Sequence, residues 1–422
     1  MTTPGDPGGA IETPGLQRAR RRARWLLVGS AALGATAMVL ASTVAAISAR
    51  DMLGSTALSG AAGASLVVGV AIGTSALAAV IARRGQRQGL SLGYAIGALG
   101  AVLALWAVSA QAFVPLLAGL LLIGFANSSA ALSRYASAEM AAPAERASAI
   151  SLVVWANTIG AIVGPALVPF TAGIAEALDV GELLGPLLAT GVLSIASALL
   201  LLARLKPDVR ALAVADDDVP ADTDTSVSMR AIIRRPAVTL ALTAMIVGQV
   251  VMVVIMAMTP VHMTDHGHGL GAVGIVISGH MLGMFALSPV SGRITDRVGP
   301  LPAIGGSFAI LTAASVLSAV APTEDNGLLL VALFLLGYGW NVGFVAGSAL
   351  LTSALASWER TRGQGFADTL VWGSSAAASL GAGLLLAAAG FAALGAAGVA
   401  LLAAASVALL RQRRAVSPAP AS

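Results

Sequence analysis

Apolar residues fall into blocks of roughly 20 or more, each long enough to cross about 30 Å of hydrocarbon as a helix. The first block runs from Trp25 to Ser48 without a charge. Further blocks predict helices over 58–81, 91–110, 112–133, 148–172, 183–203, 237–260, 271–292, 301–321, 327–352, 366–388 and 390–410. The stretches 91–133 and 366–410 are nearly continuous. As single helices each would exceed about 60 Å, so they are expected to fold back, between Gln111 and Pro115 and near Gly390. The pattern predicts an all-α integral membrane protein with twelve transmembrane helices.

Charge placement gives the topology. With the N-terminus cytoplasmic, 23 of the 24 Lys and Arg residues fall on the inner side and only Arg50 lies outside, as expected when basic loops stay in the cytoplasm. Glu176, Asp179, Glu182, Asp265, Glu324 and Asp325 occupy the outer loops. An odd number of spans would strand Arg411, Arg413 and Arg414 outside, so both termini are expected in the cytoplasm of a multi-pass cell-membrane protein. The Arg18–Arg24 cluster resembles the start of a signal peptide, but the run after it exceeds the 7–15 residues of a signal core. A retained first helix is expected.

The chain is 57% hydrophobic and 10% charged, with no cysteine. Lipid is therefore the expected partner, and thiolate metal sites, disulfides and Cys nucleophiles are excluded. No Walker loop, Ser-His-Asp order or zinc-protease helix occurs. The sequence predicts no enzyme, no resident cofactor, no nucleic-acid partner and no obligate protein partner.

The polar stretch around Asp216, Asp217, Asp218, Asp222 and Asp224 reads as a cytoplasmic linker. It divides the chain into a tail (1–24), a six-helix half (25–203), the linker (204–236), a second half (237–410) and a tail (411–422). Across an offset of 214 residues, Gly69 matches Gly283, Arg83 matches Arg297 and Gly85 matches Gly299. The run Gly283, Pro289, Gly292, Asp296, Arg297, Gly299 resembles the signature cytoplasmic loop of the major facilitator superfamily. The resemblance covers nearly all of 25–410 and implies the major facilitator fold, with two pseudo-symmetric halves, and secondary transport. The first copy has Ala82 where the family has Asp. Asp296 is expected to cap a neighbouring helix and Arg297 to hold a carboxylate, as a latch that breaks when the inner gate opens. In the fifth span Gly160, Gly164 and Pro165 resemble an exporter motif, but small residues at this spacing also serve close helix packing, which is the reading favoured here.

All four histidines lie between 262 and 280, and seven of the twelve methionines between 245 and 284. Met252 and Met256 share a face of the seventh span, as His280 and Met284 do on the eighth. In an antiparallel hairpin turning near His268, Met256 would lie level with His280 and Met252 with Met284. Three thioethers and an imidazole suit Cu(I) rather than Mg, Ca or Mn. Met252-x-x-x-Met256 and His280-x-x-x-Met284 resemble the paired motifs of the CcoA-like copper importers within the same superfamily. The resemblance implies copper as the substrate, carried inward; related members of that branch are thought to carry riboflavin or other solutes. His262, Met263, His266 and His268 are candidates to collect a metal at the entrance, or else form a polar turn.

Asp368 is expected near the inner end of the eleventh span, as a helix cap facing the Arg83 loop or as a proton relay. Arg134, Glu139, Glu145 and Arg146 read as topological charges. The rival to copper import is proton-coupled transport of an organic solute, with Trp155, Asn157, Trp340 and Asn341 as candidate cavity residues. A membrane metal sensor is a third reading, but no folded output segment is evident in the sequence.

Overall fold

The computed structural model describes residues 14–53, 59–213, 228–268, 270–322 and 326–416. The acidic run from Asp216 to Asp224, together with Glu324 and Asp325, lies outside the described residues, as does most of the N-terminal tail. The first six spans are α1 (Pro14–Leu53), α2 (Ser59–Arg84), α3 (Gln86–Ser109), α4 (Phe113–Glu139), α5 (Arg146–Ala177) and α6 (Leu184–Arg204). Two short helices follow, α7 (Val209–Leu212) and α8 (Met229–Ile233). The chain then continues through α9 (Pro236–Asp265), α10 (Leu270–Met281), a π turn (Leu282–Ala286), α11 (Ser288–Val298), α12 (Pro300–Val320), α13 (Asn326–Ala354), α14 (Ser357–Ala389) and α15 (Phe391–Val416). Among the described residues eleven helices are long and apolar enough to span a membrane, and counting the bent α10–α11 pair as one span makes twelve.

The eighth span departs from the expected straight helix, bending by 42° between its two parts. Pro289 lies in the first turn of α11. It has no N–H to give, and its ring clashes with the carbonyl four residues back. The ladder accommodates it by widening into a π turn just before it. The reversal expected between Gln111 and Pro115 falls slightly earlier, at 110–112, and the one expected near Gly390 is present: Gln111 has φ +52° and Gly390 φ +78°.

The 214-residue repeat is visible in the backbone. A side chain at Gly69 would lie 2.0 Å from the carbonyl oxygen of Leu121, and one at Gly283 would lie 2.3 Å from that of Phe334. Gly85 and Gly299, φ +87° and +88°, turn the chain between α2 and α3 and between α11 and α12. Both are in the left-handed region where glycine alone is unstrained. Gly160 and Gly164 pack on Ala35 and Val39 of α1, so that motif serves close helix contact.

The halves meet along two seams, α2 against α14 and α5 against α11. Gly365 abuts Thr74 and Ala78 in one, and Gly292 abuts Ser151 in the other. Both contacts lie toward the membrane face where α7 and α8 lie, the basic face. That face is sealed. If these backbone approaches hold the fold, Gly283→Val will lower the unfolding temperature in detergent and the membrane yield, as overpacking a tight contact costs about 1–3 kcal/mol. Gly373→Val, at a site with nothing within 4 Å, is expected to leave both unchanged.

Candidate functional site

α13 organises the interior. Trp340, Phe344 and Ser348 recur every fourth residue on one of its faces, and each has a partner from another helix. The Trp340 indole N–H donates to Gln249 Oε1 of α9 at 2.7 Å, and Gln249 Nε2 donates to Ser375 Oγ of α14 at 2.8 Å. The Trp340 and Phe344 rings stack at 4.7 Å with 18° between planes, and Phe285 meets Trp340 edge-on at 6.1 Å. Beyond Phe344, the Arg134 guanidinium of α4 sits 4.4 Å over that ring and 4.2 Å over Tyr135.

Arg134 then pairs with Asp368 of α14 at 2.5 Å, with both side chains buried. Tyr135 donates its hydroxyl to the same carboxylate oxygen at 3.2 Å, while Asp368 Oδ2 is buried without a partner. This corrects two expectations. Asp368 lies in the interior of α14, well past its first turn, and is no helix cap; it holds Arg134 rather than the Arg83 loop, and Arg83 itself is exposed. Arg134 is not topological, because α4 continues past residue 133 to Glu139 and carries Arg134 inside the bundle.

The soft residues are arranged differently from the expected hairpin. α9 packs on α13, α14 and α15, α10 packs on α13, and α9 and α10 touch only lightly. Helices in such a bundle pack on whichever neighbour has the smallest residues at the contact, and here Gly337 lets α13 approach the backbone of His280 and Met284. The levels nonetheless agree. His280 is fully buried, and its Nδ1 donates to the carbonyl of Leu333 at 2.8 Å; Met284 packs on Gly337. Counting along α9 and antiparallel α13 from the Gln249–Trp340 bond, Met252 falls level with Gly337 and Met256 with Leu333. The ladder therefore has two flanks with α13 between them.

Because a carbonyl can only accept, His280 carries its proton on Nδ1. Its Nε2 is buried and has no partner, as is the Oδ1 of Asn341, whose Nδ2 donates to the Met284 carbonyl at 2.6 Å. At the far end of α9, His262 stacks on Phe391 at 4.2 Å and lies 4.4 Å from the His266 ring. Met263 is buried, and His268 meets Asn326 at 3.2 Å. Among the described residues no group of three or more His, Cys, Asp or Glu converges as a metal site. Trp155 and Asn157 lie half-buried on α5, where the Asn157 amide turns back to the carbonyl of Val154.

Asp296 spans the halves: its carboxylate accepts from the backbone N–H groups of Ala147 and Ser148, at 3.0 and 2.9 Å, at the start of α5. Arg297 is exposed and makes no ion pair among the described residues. Sequence reasoning missed Gln249, Phe344 and Tyr135. Gln249 could have been found as an isolated amide inside an otherwise apolar span; the two aromatics carried no such signal.

An all-helical bundle of two six-span halves, sealed at one face around a buried polar core, defines a membrane carrier. The chain matches the Major Facilitator Superfamily over residues 25–274 and 240–422, and it belongs to that family. It is 33% identical to the uncharacterized MFS-type transporter YdeG of Bacillus subtilis over 388 residues, covering 91% of this chain and 90% of that protein. It is 32% identical to the riboflavin transporter RfnT of Brucella anthropi over 326 residues, covering 77% and 79%. Its fold matches the fucose:proton symporter FucP of E. coli with a TM-score of 0.74 at 16% identity, covering 94% of this chain and 98% of that one.

Removing one member of a buried ion pair leaves an uncompensated charge, at a cost of about 3–5 kcal/mol. Arg134→Ala or Asp368→Ala alone is therefore expected to destabilise the sealed state strongly, and Arg134→Met with Asp368→Leu much less. Unfolding of the purified carrier in detergent reads the difference.

Proposed function

We propose that this carrier moves copper, as Cu(I), toward its basic face. The observation that carries the reading is His280: its Nδ1–H is held by a backbone carbonyl, and its Nε2 is buried and free one turn from Met284. Metal-binding histidines are commonly oriented in this way, by a hydrogen bond from the other ring nitrogen. The π turn carrying Met284 adds support, since such turns gather at functional sites. Met252 and Met256, level with this pair across α13, supply a second thioether station. Neutral sulfur and imidazole donors bind Cu(I) without burying an ionised ligand in the membrane. By the positive-inside rule the basic face is cytoplasmic, which makes the direction import.

A second reading has its own support. The stacked Trp340 and Phe344 rings with the Gln249 amide could hold a planar, hydrogen-bonding solute, and one relative is named a riboflavin transporter. Under either reading, separating α4 from α14 would expose Asp368 in the membrane as a lone charge, so we assign Arg134–Asp368 as a lock released when a proton neutralises the carboxylate.

His280→Ala, Met284→Ala and Met252→Ala are each expected to lower cellular copper accumulation by about tenfold or more, with the protein still present in the membrane. Unchanged copper uptake in all three, together with riboflavin uptake that falls in Trp340→Ala, would establish the second reading instead. Asp368→Asn is expected to make uptake insensitive to the imposed pH gradient; uptake that still follows the gradient would remove Asp368 from the coupling.

A further inference from the structure

The two seams of the basic face are built from different interactions. On the α5–α11 seam, the start of α5 takes its cap from the opposite half, through Asp296. Such a contact must break when the halves separate there. By the repeat, the counterpart of Asp296 is Ala82, which has nothing to donate or accept beyond its backbone, and the counterpart of α5 is α14.

Residues at the two ends of the inter-half connection occupy the places left open. Asp208 accepts from the backbone N–H groups of Gln86 and Arg87, at 3.3 and 2.9 Å, at the start of α3. Arg210 donates to the carbonyl of Ile81 at 2.7 Å and to that of Ala82, at the end of α2. The segment is held from α1 in turn, since Arg20 Nε donates to the carbonyl of Leu212 at 2.7 Å. At the other end, Arg235 grips Glu359 with two bonds of 2.6 and 2.7 Å. Glu359 is buried and accepts from the N–H of Ala356 at 3.1 Å, so α14 is capped from within its own half.

We infer that the ends of the connection, 206–213 and 228–235, are braces that position the basic ends of α2, α3 and α14, and that of the two seams it is α5–α11 that carries a carboxylate latch. Every brace contact joins groups of one half: Asp208 and Arg210 belong with α2 and α3, and Arg235 with α14. None of them needs to break when the halves rock. The bonds that cross the α2–α14 seam are made by neutral hydroxyls, between Thr369 and Thr74 or Ser75 at 3.1 and 2.6 Å and from Thr369 to the carbonyl of Ala71 at 2.9 Å. These exchange for water at little cost, whereas the Asp296 contact places a carboxylate on a helix N-terminus. The inference holds whatever the cargo.

The chain has no cysteine, so one introduced thiol reports the seam. Ser151 is buried against Gly292; Ser151→Cys is therefore shielded from a water-soluble maleimide while the seam is shut. With this reporter, Asp296→Ala is expected to raise the labelling rate from the basic face about fivefold, the effect of losing one good helix cap. Asp208→Ala and Arg235→Ala are expected to lower the unfolding temperature and leave labelling within about twofold of the parent. Asp208→Asn retains one of the two acceptor oxygens and is expected to recover part of the lost unfolding temperature. Should Asp208→Ala not reach the membrane, Asp208→Asn carries the test: parental labelling supports the brace and raised labelling overturns it. Labelling in Asp208→Ala that rises as it does in Asp296→Ala would make the connection part of the latch. An unfolding temperature unchanged in both Asp208→Ala and Arg235→Ala would dismiss the braces altogether.

Discussion

Within a bilayer no water satisfies a stray polar group, so each one must find its partner inside the protein. That constraint accounts for the course of the polar interior. Ser375, Gln249 and Trp340 are joined by hydrogen bonds, Trp340 and Phe344 by stacking, and Phe344, Arg134 and Asp368 by a cation over a ring and an ion pair. The path touches α14, α9, α13 and α4 and returns to α14. It passes between the halves only through Arg134, which meets Phe344 of α13 on one side and Asp368 of α14 on the other. The first half is held largely by apolar packing and small residues, the second adds the Gln249 bonds, and the seal between them includes a buried ion pair that is costly to break.

α13 has a central part in this arrangement. One face carries Trp340, Phe344 and Ser348 toward the polar chain, and the next presents Leu333, Gly337 and Asn341 to the broken eighth span. Gly337 matters because a side chain there would lie 2.4 Å from the carbonyl of His280. Without it, the π turn could not sit on α13, nor could Asn341 reach the Met284 carbonyl. The geometry at His280 is thus set by a residue with no side chain on a neighbouring helix.

Much of the fold was legible from residue pattern alone. Block length marked the spans, the basic residues ordered them, and the recurrence of Gly69 and Gly85 at Gly283 and Gly299 marked the repeat, because each property is local or depends only on sequence offset. The partners of single residues were not legible. Arg134 and Asp368 stand 234 positions apart, and nothing in the neighbourhood of either points to the other. The hairpin assumption failed for a related reason: adjacency in sequence fixes relative height, since both helices start from one turn, but not azimuth, which is decided by the closest-packing neighbour. Counted from the Gln249–Trp340 bond, Met252 and Met256 come at the heights expected beside Met284 and His280, but α9 and α10 each pack on α13 rather than chiefly on each other.

That separation bears on how a soft cargo would be handled. A single cage of three thioethers and an imidazole would hold Cu(I) tightly and release it slowly, whereas two smaller stations at matching depth hold it weakly at each. A carrier that must release its ion on every cycle is served by the second arrangement. His280 is fixed through Nδ1 and buried, so its position is set before any ion arrives. Methionine, unbranched and with three rotatable bonds, is suited to follow a moving ion. Under the copper reading, the rigid donor would define where the ion rests and the pliant donors would allow it to leave.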